Sequence, residues 1–222
     1  MAVEIEKLKR VTAHTQYRTK DGTRVPGVTT VLGVLNKPAL VPWANKLGLQ
    51  GIDTRKYVDK LASIGTLAHL IVQCRLTHMQ PDLTAFSAEE IEKAGNSVRS
   101  YEAWEAKHTL APVACERQIV SEIHHFGGTL DLIAVVDGIL TLVDFKTGKA
   151  IYDEHLHQLA AYLMLAEEAG FAVQEARILR IGRTEDEGFE EIVRPAKAFE
   201  PHREMFMHCL GIYRLKQALG GG

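Results

Sequence analysis

The sequence predicts an α/β fold in which one central mixed β-sheet is flanked by helices in a single domain. Two observations support this. Short apolar runs of strand character alternate with longer helical patterns. A chain of 222 residues with 46% hydrophobic residues is also long and apolar enough to fill one large core. We expect residues 1–52 to form an N-terminal strand and helix segment that packs on a core made by residues 53–222.

Local signals place the elements along the chain. Ser87 followed by Glu90 is a capping-box signature for a helix start, and Gly170 marks a helix end. The pattern over 53–76 is helical, either as one piece or as two that meet at 63–65. The predicted elements are, in order, strands at 11–17 and 28–35, helices at 43–49, 53–76 and 87–108, a strand at 113–123, a hairpin within 126–149, a helix from 153 or 154 to 170, strands at 176–181 and 189–193, and a final helix at 199–219.

The hairpin contains the most informative pattern. Asp137-Gly138 joins two apolar runs and is typical of a two-residue type I′ turn. If these two residues form the turn, pairing outward places Asp131 opposite Asp144, in a non-hydrogen-bonded pair with Cα atoms about 4.5 Å apart. Lys146 lies two residues beyond Asp144 and therefore shares its face of the strand. Two acids and an amine on one face of an apolar hairpin predict a site for a hard metal ion with a base beside it.

A simpler interpretation treats the same residues as surface charges. Asp144 and Lys146 would then form a solvated ion pair, which contributes little to stability. That interpretation leaves unexplained why Asp131 faces Asp144 inside a hydrophobic hairpin.

Other residues gain meaning from the hairpin, although each also has a structural interpretation. Glu116 interrupts the apolar pattern of the preceding strand, as an exposed residue or as part of the site. His69 lies among leucines on a helix, as a core residue or a ligand, and Gly65 one turn earlier favours a close approach at this point. Gln158 and Tyr162 share a helix face, as ordinary surface or as a support for the lysine.

Composition excludes several classes of protein. The net charge of −2 means that any nucleic acid must be bound by a local patch or through metal ions. No apolar run is long enough to span a bilayer, and the first residues lack the apolar region of a signal peptide. Cys74, Cys115 and Cys209 are widely separated, which favours reduced thiols in a cytoplasmic compartment over a disulfide frame or a zinc ribbon.

Five motifs in order give the chain a family resemblance. The segments GTLAH, Glu116, GTLD, VDFKTGK and QLAAY, between about residues 60 and 165, resemble the PD-(D/E)XK nuclease superfamily. They resemble most of all its RecB-like branch, which includes phage recombination exonucleases and CRISPR-associated exonucleases. The N-terminal VPGVTTVLGVLNKPALVPWANKLG resembles the opening of phage-encoded members. The resemblance implies a restriction-endonuclease-like core.

The resemblance also implies a role for each motif residue. The residues implied as ligands of one or two Mg²⁺ or Mn²⁺ ions are His69, Asp131, Asp144 and, through its backbone carbonyl, Phe145. The residues implied in catalysis are Lys146, the two aspartates, Glu116 as the upstream acid, and the supporting pair Gln158 and Tyr162.

The chain departs from the family pattern at a few points. Leu130 replaces the proline of the superfamily name, and Asp144 stands where many members have Glu. Some RecB-like members hold an iron–sulfur cluster with four cysteines, three of them near the C-terminus. Only Cys209 lies there in this chain, so we expect no iron–sulfur cluster.

The function expected from these features is metal-dependent hydrolysis of DNA, as an exonuclease in phage-type recombination or DNA end-processing. Its partners would be DNA and a recombination protein such as a single-strand annealing protein, with no membrane, in the cytoplasm of a bacterial or phage-infected cell. Two alternatives remain: a non-cleaving nucleic-acid-binding or assembly protein on the same fold, and a metal-dependent hydrolase of another substrate. Candidate DNA contacts are scattered, and Trp43 and Trp104 are either base-stacking or core residues. The basic candidates are Arg55, Lys146, Lys149, Arg203, Arg214 and Lys216.

Overall fold

The computed structural model describes residues 7–8 and 15–220. Its elements are, in order, β1 (Lys7–Leu8), β2 (Tyr17–Arg18), β3 (Arg24–Val25), α1 (Val28–Leu32), α2 (Leu40–Leu49), α3 (Thr54–Leu76), β4 (Gln80–Pro81), α4 (Ala88–Glu105), β5 (Leu110–Ser121), β6 (Phe126–Val136), β7 (Ile139–Lys146), α5 (Asp153–Glu168), β8 (Glu175–Ile181), β9 (Phe189–Pro195), a 3₁₀ turn (Ala196–Phe199) and α6 (Glu200–Ala218). None of the helices in these ranges is long and apolar enough to cross a lipid bilayer.

The central sheet has five strands in the order β5-β6-β7-β8-β9. β7 and β8 run parallel, while the other neighbouring pairs are antiparallel. Because parallel neighbours need a crossover connection, α5 carries the chain from the end of β7 to the start of β8. The predicted α/β fold with one mixed sheet flanked by helices, in a single domain, is confirmed.

The hairpin between β6 and β7 has the predicted turn. Asp137 and Gly138 have φ angles of 51° and 86°, the left-handed values that a type I′ turn requires at both central positions. Val136 pairs with Ile139 and the ladder continues to Leu132 and Val143. The Asp137 carboxylate also accepts a hydrogen bond from the Thr109 backbone N–H at 2.8 Å, which ties the turn to the start of β5.

Helices cover both faces of the sheet. On one face α1, α5 and α6 contact one another, and a buried cluster includes Val31, Ile133, Leu159 and Phe206. On the other face α3 and α4 pack together, and α3 and α4 side chains join sheet residues in a second buried cluster. Trp104 belongs to this second cluster and donates a hydrogen bond to Glu191 at 3.0 Å, so its indole is a core residue.

The N-terminal region differs from its prediction. The strand expected at 28–35 is wrong, because Val28–Leu32 forms α1. The run is rich in β-branched residues, which favours a strand locally, but Val28, Val31 and Leu32 follow helical spacing and are all buried. Burial of that apolar stripe against α5 and α6 outweighs the local preference. Of the strand expected at 11–17, residues 11–14 lie outside the described residues and Tyr17 begins β2.

The remaining elements differ only in their limits. The long helix α3 is continuous through 63–65, and the Asp53 side chain caps it by accepting from the Lys56 N–H. The capping box of Ser87 and Glu90 is confirmed. Strand β5 starts at Leu110 and passes through Pro112, where the pairing register with β6 shifts. A proline in an edge strand removes no hydrogen bond that the ladder needs, which explains why it does not end the strand.

Candidate functional site

The site begins at a gap in the ladder between β5 and β6. Cys115 pairs with Leu132, and Arg117 pairs with Leu130. Glu116 and Asp131 lie between these pairs but are not paired in the ladder. Glu116 has a φ angle of 48°, which is a left-handed conformation within a strand. Such a conformation costs about 1 kcal/mol or more in a residue with a side chain and recurs at functional positions.

His69 faces this gap from α3. Its Nδ1 atom lies 3.7 Å from Asp131 Oδ2 and 3.9 Å from Glu116 Oε1. One ligand atom from each of these three residues lies within 4.8 Å of the others. We call His69, Glu116 and Asp131 the acid–histidine cluster.

Gly65 allows α3 to come this close. A Cβ atom at position 65 would lie 2.7 Å from Thr147 Oγ1, well inside van der Waals contact. The glycine therefore marks a close approach, as the sequence indicated, and the neighbour is the side chain that follows β7. This contact sets the distance between α3 and the sheet. It therefore also sets the position of His69, which lies one helical turn further along.

Asp131 is held by the backbone of the neighbouring strand. Its Oδ2 atom accepts a hydrogen bond from the Phe145 N–H at 2.7 Å. The register of the hairpin makes Asp131 and Asp144 the next residues beyond the last ladder pair, as predicted. The side chains nevertheless have different partners, because Asp131 belongs to the acid–histidine cluster and Asp144 pairs with Lys146.

Asp144 and Lys146 form a buried ion pair. Asp144 Oδ2 lies 2.6 Å from Lys146 Nζ, and the two side chains are only 2% and 15% exposed. This pair was expected at the surface in the simpler interpretation, and the structure shows it inside. Asp144 Oδ2 is fully buried. Its contact with Lys146 lacks hydrogen-bond geometry, and no other donor within the described part of the chain bonds to it. Burial, reinforced by the charge of Asp131, raises the pKa of Asp144 to about 6 although Lys146 opposes the shift.

The helix α5 brings two more predicted residues to this region. Gln158 Nε2 donates a hydrogen bond to the Tyr162 hydroxyl at 2.8 Å. Tyr162 is buried, and burial together with the charges of Asp144 and Asp131 raises its pKa well above the ordinary value. Gly128 of β6 makes room for the ring, since a Cβ there would lie 2.7 Å from Tyr162 Cε1. Tyr162 is therefore not part of an ordinary helix surface.

The electrostatics of the acid–histidine cluster favour a cation. Burial alone would lower the pKa of His69, but the Asp131 and Glu116 carboxylates outweigh it and raise that pKa to about 10. The pKa of Asp131 is lowered despite burial, by His69, Lys146 and the Phe145 N–H. Burial raises the pKa of Glu116. A protonated imidazole thus supplies positive charge between two acids.

The donor atoms of this region fit a hard divalent cation. Glu116 and Asp131 offer carboxylate oxygens at one point and His69 offers a nitrogen, while Asp144 lies outside this group and its Oδ2 atom pairs with Lys146. Oxygen ligands with one imidazole suit Mg²⁺ and Mn²⁺, and the absence of a thiolate among them argues against softer metals.

Most of the predicted DNA contacts have protein partners. Arg203 pairs with Glu167 and Glu200, and Arg214 donates to the His124 carbonyl. Trp43 packs on Tyr57 with ring centroids 6.2 Å apart.

Sequence reasoning did not find Tyr17. Its hydroxyl makes a hydrogen bond with Thr129 Oγ1 at 2.9 Å, two residues before Asp131. Burial raises the pKa of Tyr17, with a further contribution from the charge of Glu116. A tyrosine more than 100 positions away from its partner carries no local sequence signal of this contact.

Comparison with solved structures found similar chains at low identity. An alkaline exonuclease (LHK-Exo) from Laribacter hongkongensis is 14% identical, with a TM-score of 0.34, and the match covers 72% of this chain and 91% of that one. The same exonuclease in complex with dAMP is 15% identical with a TM-score of 0.32 and the same coverage. The protein SSO0001 is 16% identical with a TM-score of 0.29, over 54% of this chain and 57% of that one. No curated protein matches the chain.

A family model identifies the superfamily of the chain. The model of the PD-(D/E)XK nuclease superfamily matches residues 44–218, which is most of the chain and includes every residue of the acid–histidine cluster, the Asp144–Lys146 pair, and Gln158 and Tyr162. Members of this superfamily use divalent metals, in agreement with the donor set found here. This chain belongs to the PD-(D/E)XK nuclease superfamily.

Proposed function

We propose that this protein is a deoxyribonuclease that uses Mg²⁺ or Mn²⁺ to hydrolyse phosphodiester bonds, as an exonuclease in phage-type recombination or DNA end-processing. The observation that carries the proposal is the convergence of Glu116, Asp131 and His69 within 4.8 Å, beside a buried aspartate–lysine pair. The resemblance of the ordered motifs to the RecB-like branch supports the choice of exonuclease.

The proposed ligands are the side chains of His69, Asp131 and Asp144 and the backbone carbonyl of Phe145, with Glu116 completing or orienting the set. A divalent ion held by these residues would polarise the phosphate and lower the pKa of a coordinated water. The hydrogen bond from the Phe145 N–H to Asp131 supports this assignment, because it fixes Oδ2, the carboxylate oxygen that lies 3.7 Å from His69 Nδ1.

Lys146 is the proposed catalytic lysine. Asp144 anchors its amine at 2.6 Å, which holds the amine at the edge of the cluster rather than in solvent. As an ammonium, the amine holds the attacking water by donating a hydrogen bond to it, and it can accept the proton of that water only after it has released its own proton to Asp144 or to solvent. The water oxygen then bonds to phosphorus as the ester P–O bond breaks, and the leaving oxygen takes a proton from solvent.

Gln158 and Tyr162 are the proposed supporting pair. The Tyr162 oxygen accepts from Gln158, so its own O–H remains available to donate to a carboxylate or a phosphate oxygen. The charges of Asp131 and Asp144 both raise the pKa of this hydroxyl, after the larger effect of burial, which supports a position near the two acids.

The division of the chain into two segments, its protein partner and its cellular compartment are also proposals. We propose that residues 1–52 form a segment packed on the core of 53–222, which is supported by the burial of Val28 and Val31 in the same cluster as Leu159. A recombination partner such as a single-strand annealing protein, and a place in the cytoplasm of a bacterial or phage-infected cell, rest on the motif resemblance alone.

The test is a cleavage assay with end-labelled linear DNA and closed circular DNA in Mg²⁺, Mn²⁺ or EDTA. We expect cleavage of the linear DNA with metal and none in EDTA. Asp131→Ala, Asp144→Ala and Lys146→Ala should each lower the rate by about 100-fold to 10,000-fold while the protein stays folded. Asp186→Ala and Lys107→Ala are matched controls, because both side chains are exposed and neither residue belongs to the proposed site or to the candidate DNA contacts.

The outcomes separate the alternatives. Binding of DNA without cleavage in either metal would favour the non-cleaving protein. Rapid cutting of closed circles would contradict the exonuclease assignment. Wild-type rates in any of the three site variants would contradict the assignment of that residue.

A further inference from the structure

Two surface cavities meet along strand β3. The first, of about 560 Å³, is lined by residues that include Tyr17, Thr30 and Tyr213. The second, of about 480 Å³, is lined by residues that include Ile123, His125 and Arg214. Both are lined by Arg24, Val25 and Pro26, so the two cavities lie side by side at the β2–β3 ribbon, and we call them together the groove.

The near end of the groove lies beside the proposed site. Tyr17 lines the first cavity, and its hydroxyl bonds to Thr129, two residues from Asp131 on β6. The ring of Tyr17 also packs directly on Gly127, where a Cβ would lie 2.5 Å from the ring. Pro26 completes the attachment, since its carbonyl accepts the Gly127 N–H at 2.9 Å.

The groove carries unneutralised positive charge. Within residues 15–220, the Arg24 side chain is exposed and makes no ion pair or hydrogen bond. Arg214 donates only to the His124 carbonyl, which neutralises no charge. By contrast, Arg75, Arg177 and Arg183 each pair with a carboxylate.

The acids beside the groove accept hydrogen bonds from residues of the β2–β3 ribbon. Asp21 accepts hydrogen bonds from Thr19 and from the Thr23 N–H, and Glu122 accepts from the Lys20 N–H. These contacts hold the β2–β3 ribbon in place. Because these donors are neutral, both acids keep their negative charge, but within residues 15–220 neither pairs with Arg24 or Arg214, so both guanidinium groups remain available to an anion from outside.

We propose that this groove, with Arg24 at its centre and Arg214 at its far end, binds the sugar–phosphate backbone of the DNA strand that extends from the cleavage site. The proposal rests on the proposed function. Phosphates along the strand contact the guanidinium groups, which attract them without reading sequence. Tyr213, half-buried in the wall of the first cavity, offers a ring on which a base can stack.

The experiment measures the binding of a labelled single-stranded oligonucleotide by fluorescence anisotropy across a range of KCl, with Ca²⁺ in place of Mg²⁺ under conditions checked to give no cleavage. We expect Arg24→Ala and Arg214→Ala each to weaken binding roughly 3-fold to 10-fold at low salt and to reduce the salt slope by about 0.7. Arg24→Glu should weaken binding further. In cleavage assays the loss should appear mainly in KM.

Lys107→Ala is the matched control. Lys107 is exposed and lies beside the β6–β7 turn, about 20 Å along β6 from Asp131, so its loss removes one charge away from the groove. It should leave the affinity, the salt slope and the cleavage rate at wild-type values. Thermal unfolding of each variant checks that the ribbon remains folded.

The outcomes distinguish the groove from the nuclease. Wild-type affinity and salt slope in the Arg24→Ala, Arg214→Ala double variant would overturn the groove, even if the wild-type protein cleaves DNA. An effect confined to oligonucleotides with a 5′ phosphate would also overturn it, because the residues would then bind an end group rather than a strand. A protein that binds through both arginines but never cleaves would sustain the groove and contradict the nuclease.

Discussion

Replacement of Asp144 by Asn should stabilise the metal-free protein. Asp144 is 1% exposed, and its pKa is raised from an ordinary 3.8 to about 6. At neutral pH the folded protein therefore contains a carboxylate that is ionised against the cost of burial. The difference between 3.8 and about 6 corresponds to about 3 kcal/mol. Asn has the same shape and no charge.

This figure already includes the attraction of Lys146, whose amine is 15% exposed and lies 2.6 Å from the carboxylate. The net gain is smaller because Asn must bury a side-chain NH₂ group beside that amine, which costs about 1 to 2 kcal/mol. We expect Asp144→Asn to raise the free energy of unfolding by about 1 to 2 kcal/mol at pH 7.5, which is a rise of roughly 2 to 8 °C in Tm for a chain of this size.

The pH dependence gives the sign an independent check. An acid with a raised pKa in the folded state binds more protons when folded than when unfolded, so stability falls as pH rises through the interval between the two pKa values. The penalty is complete above about pH 6, is about halved near pH 5, and is absent below about pH 3.8. The advantage of Asp144→Asn should shrink in the same way as the pH is lowered.

The assay is thermal unfolding of the two proteins in EDTA at several pH values, repeated with Mn²⁺. In EDTA at pH 7.5 the variant should be the more stable. With saturating Mn²⁺ the order should reverse, because the wild type retains a ligand that the variant lacks. Asp131→Asn is the control of opposite sign: its pKa is lowered by His69, Lys146 and the Phe145 N–H, so its removal should destabilise the metal-free protein. A less stable Asp144→Asn variant at pH 7.5 in EDTA, or an advantage that grows toward pH 5, would refute the reasoning.

Two further predictions concern backbone and packing. Glu116 has a φ of 48°, so Glu116→Gly should be about 1 kcal/mol more stable than Glu116→Ala in urea unfolding. This is the reverse of the usual order within a strand. Equal stabilities would show that the left-handed conformation does not persist. Gly128→Ala should cost about 1 to 3 kcal/mol, because the new methyl group would lie 2.7 Å from Tyr162 Cε1. Gly211→Ala, with nothing within 4 Å of its new methyl group, is the control and should be neutral or stabilising, and a neutral Gly128→Ala would contradict the packing.

Much of the fold could be predicted because its signals are local. The Asp137-Gly138 turn fixes the hairpin register within a few residues, and the capping box at Ser87 fixes a helix start in the same way. The segment at 28–32 could not be predicted locally, because its β-branched residues favour a strand until α5 and α6 are present to bury one helical face.

The site divides in a similar manner. Register alone places Asp131 and Asp144 side by side, but it does not tell which partner each carboxylate takes. Asp131 turns to the Phe145 N–H and His69, and Asp144 turns to Lys146. That choice depends on a helix more than 50 residues earlier in the chain, and no hairpin rule contains it.

The division into the acid–histidine cluster and the Asp144–Lys146 pair explains how such an acidic region folds before it holds a metal. Glu116, Asp131 and Asp144 would repel one another, but protonated His69 lies between the first two and Lys146 neutralises the third. The raised pKa of His69 reflects its attraction to Asp131 and Glu116. The imidazolium thereby supplies the positive charge that a metal ion would supply. An ion that takes the imidazole as a ligand must release that proton. Metal affinity should therefore keep rising with pH above 7, where an ordinary histidine would already be deprotonated.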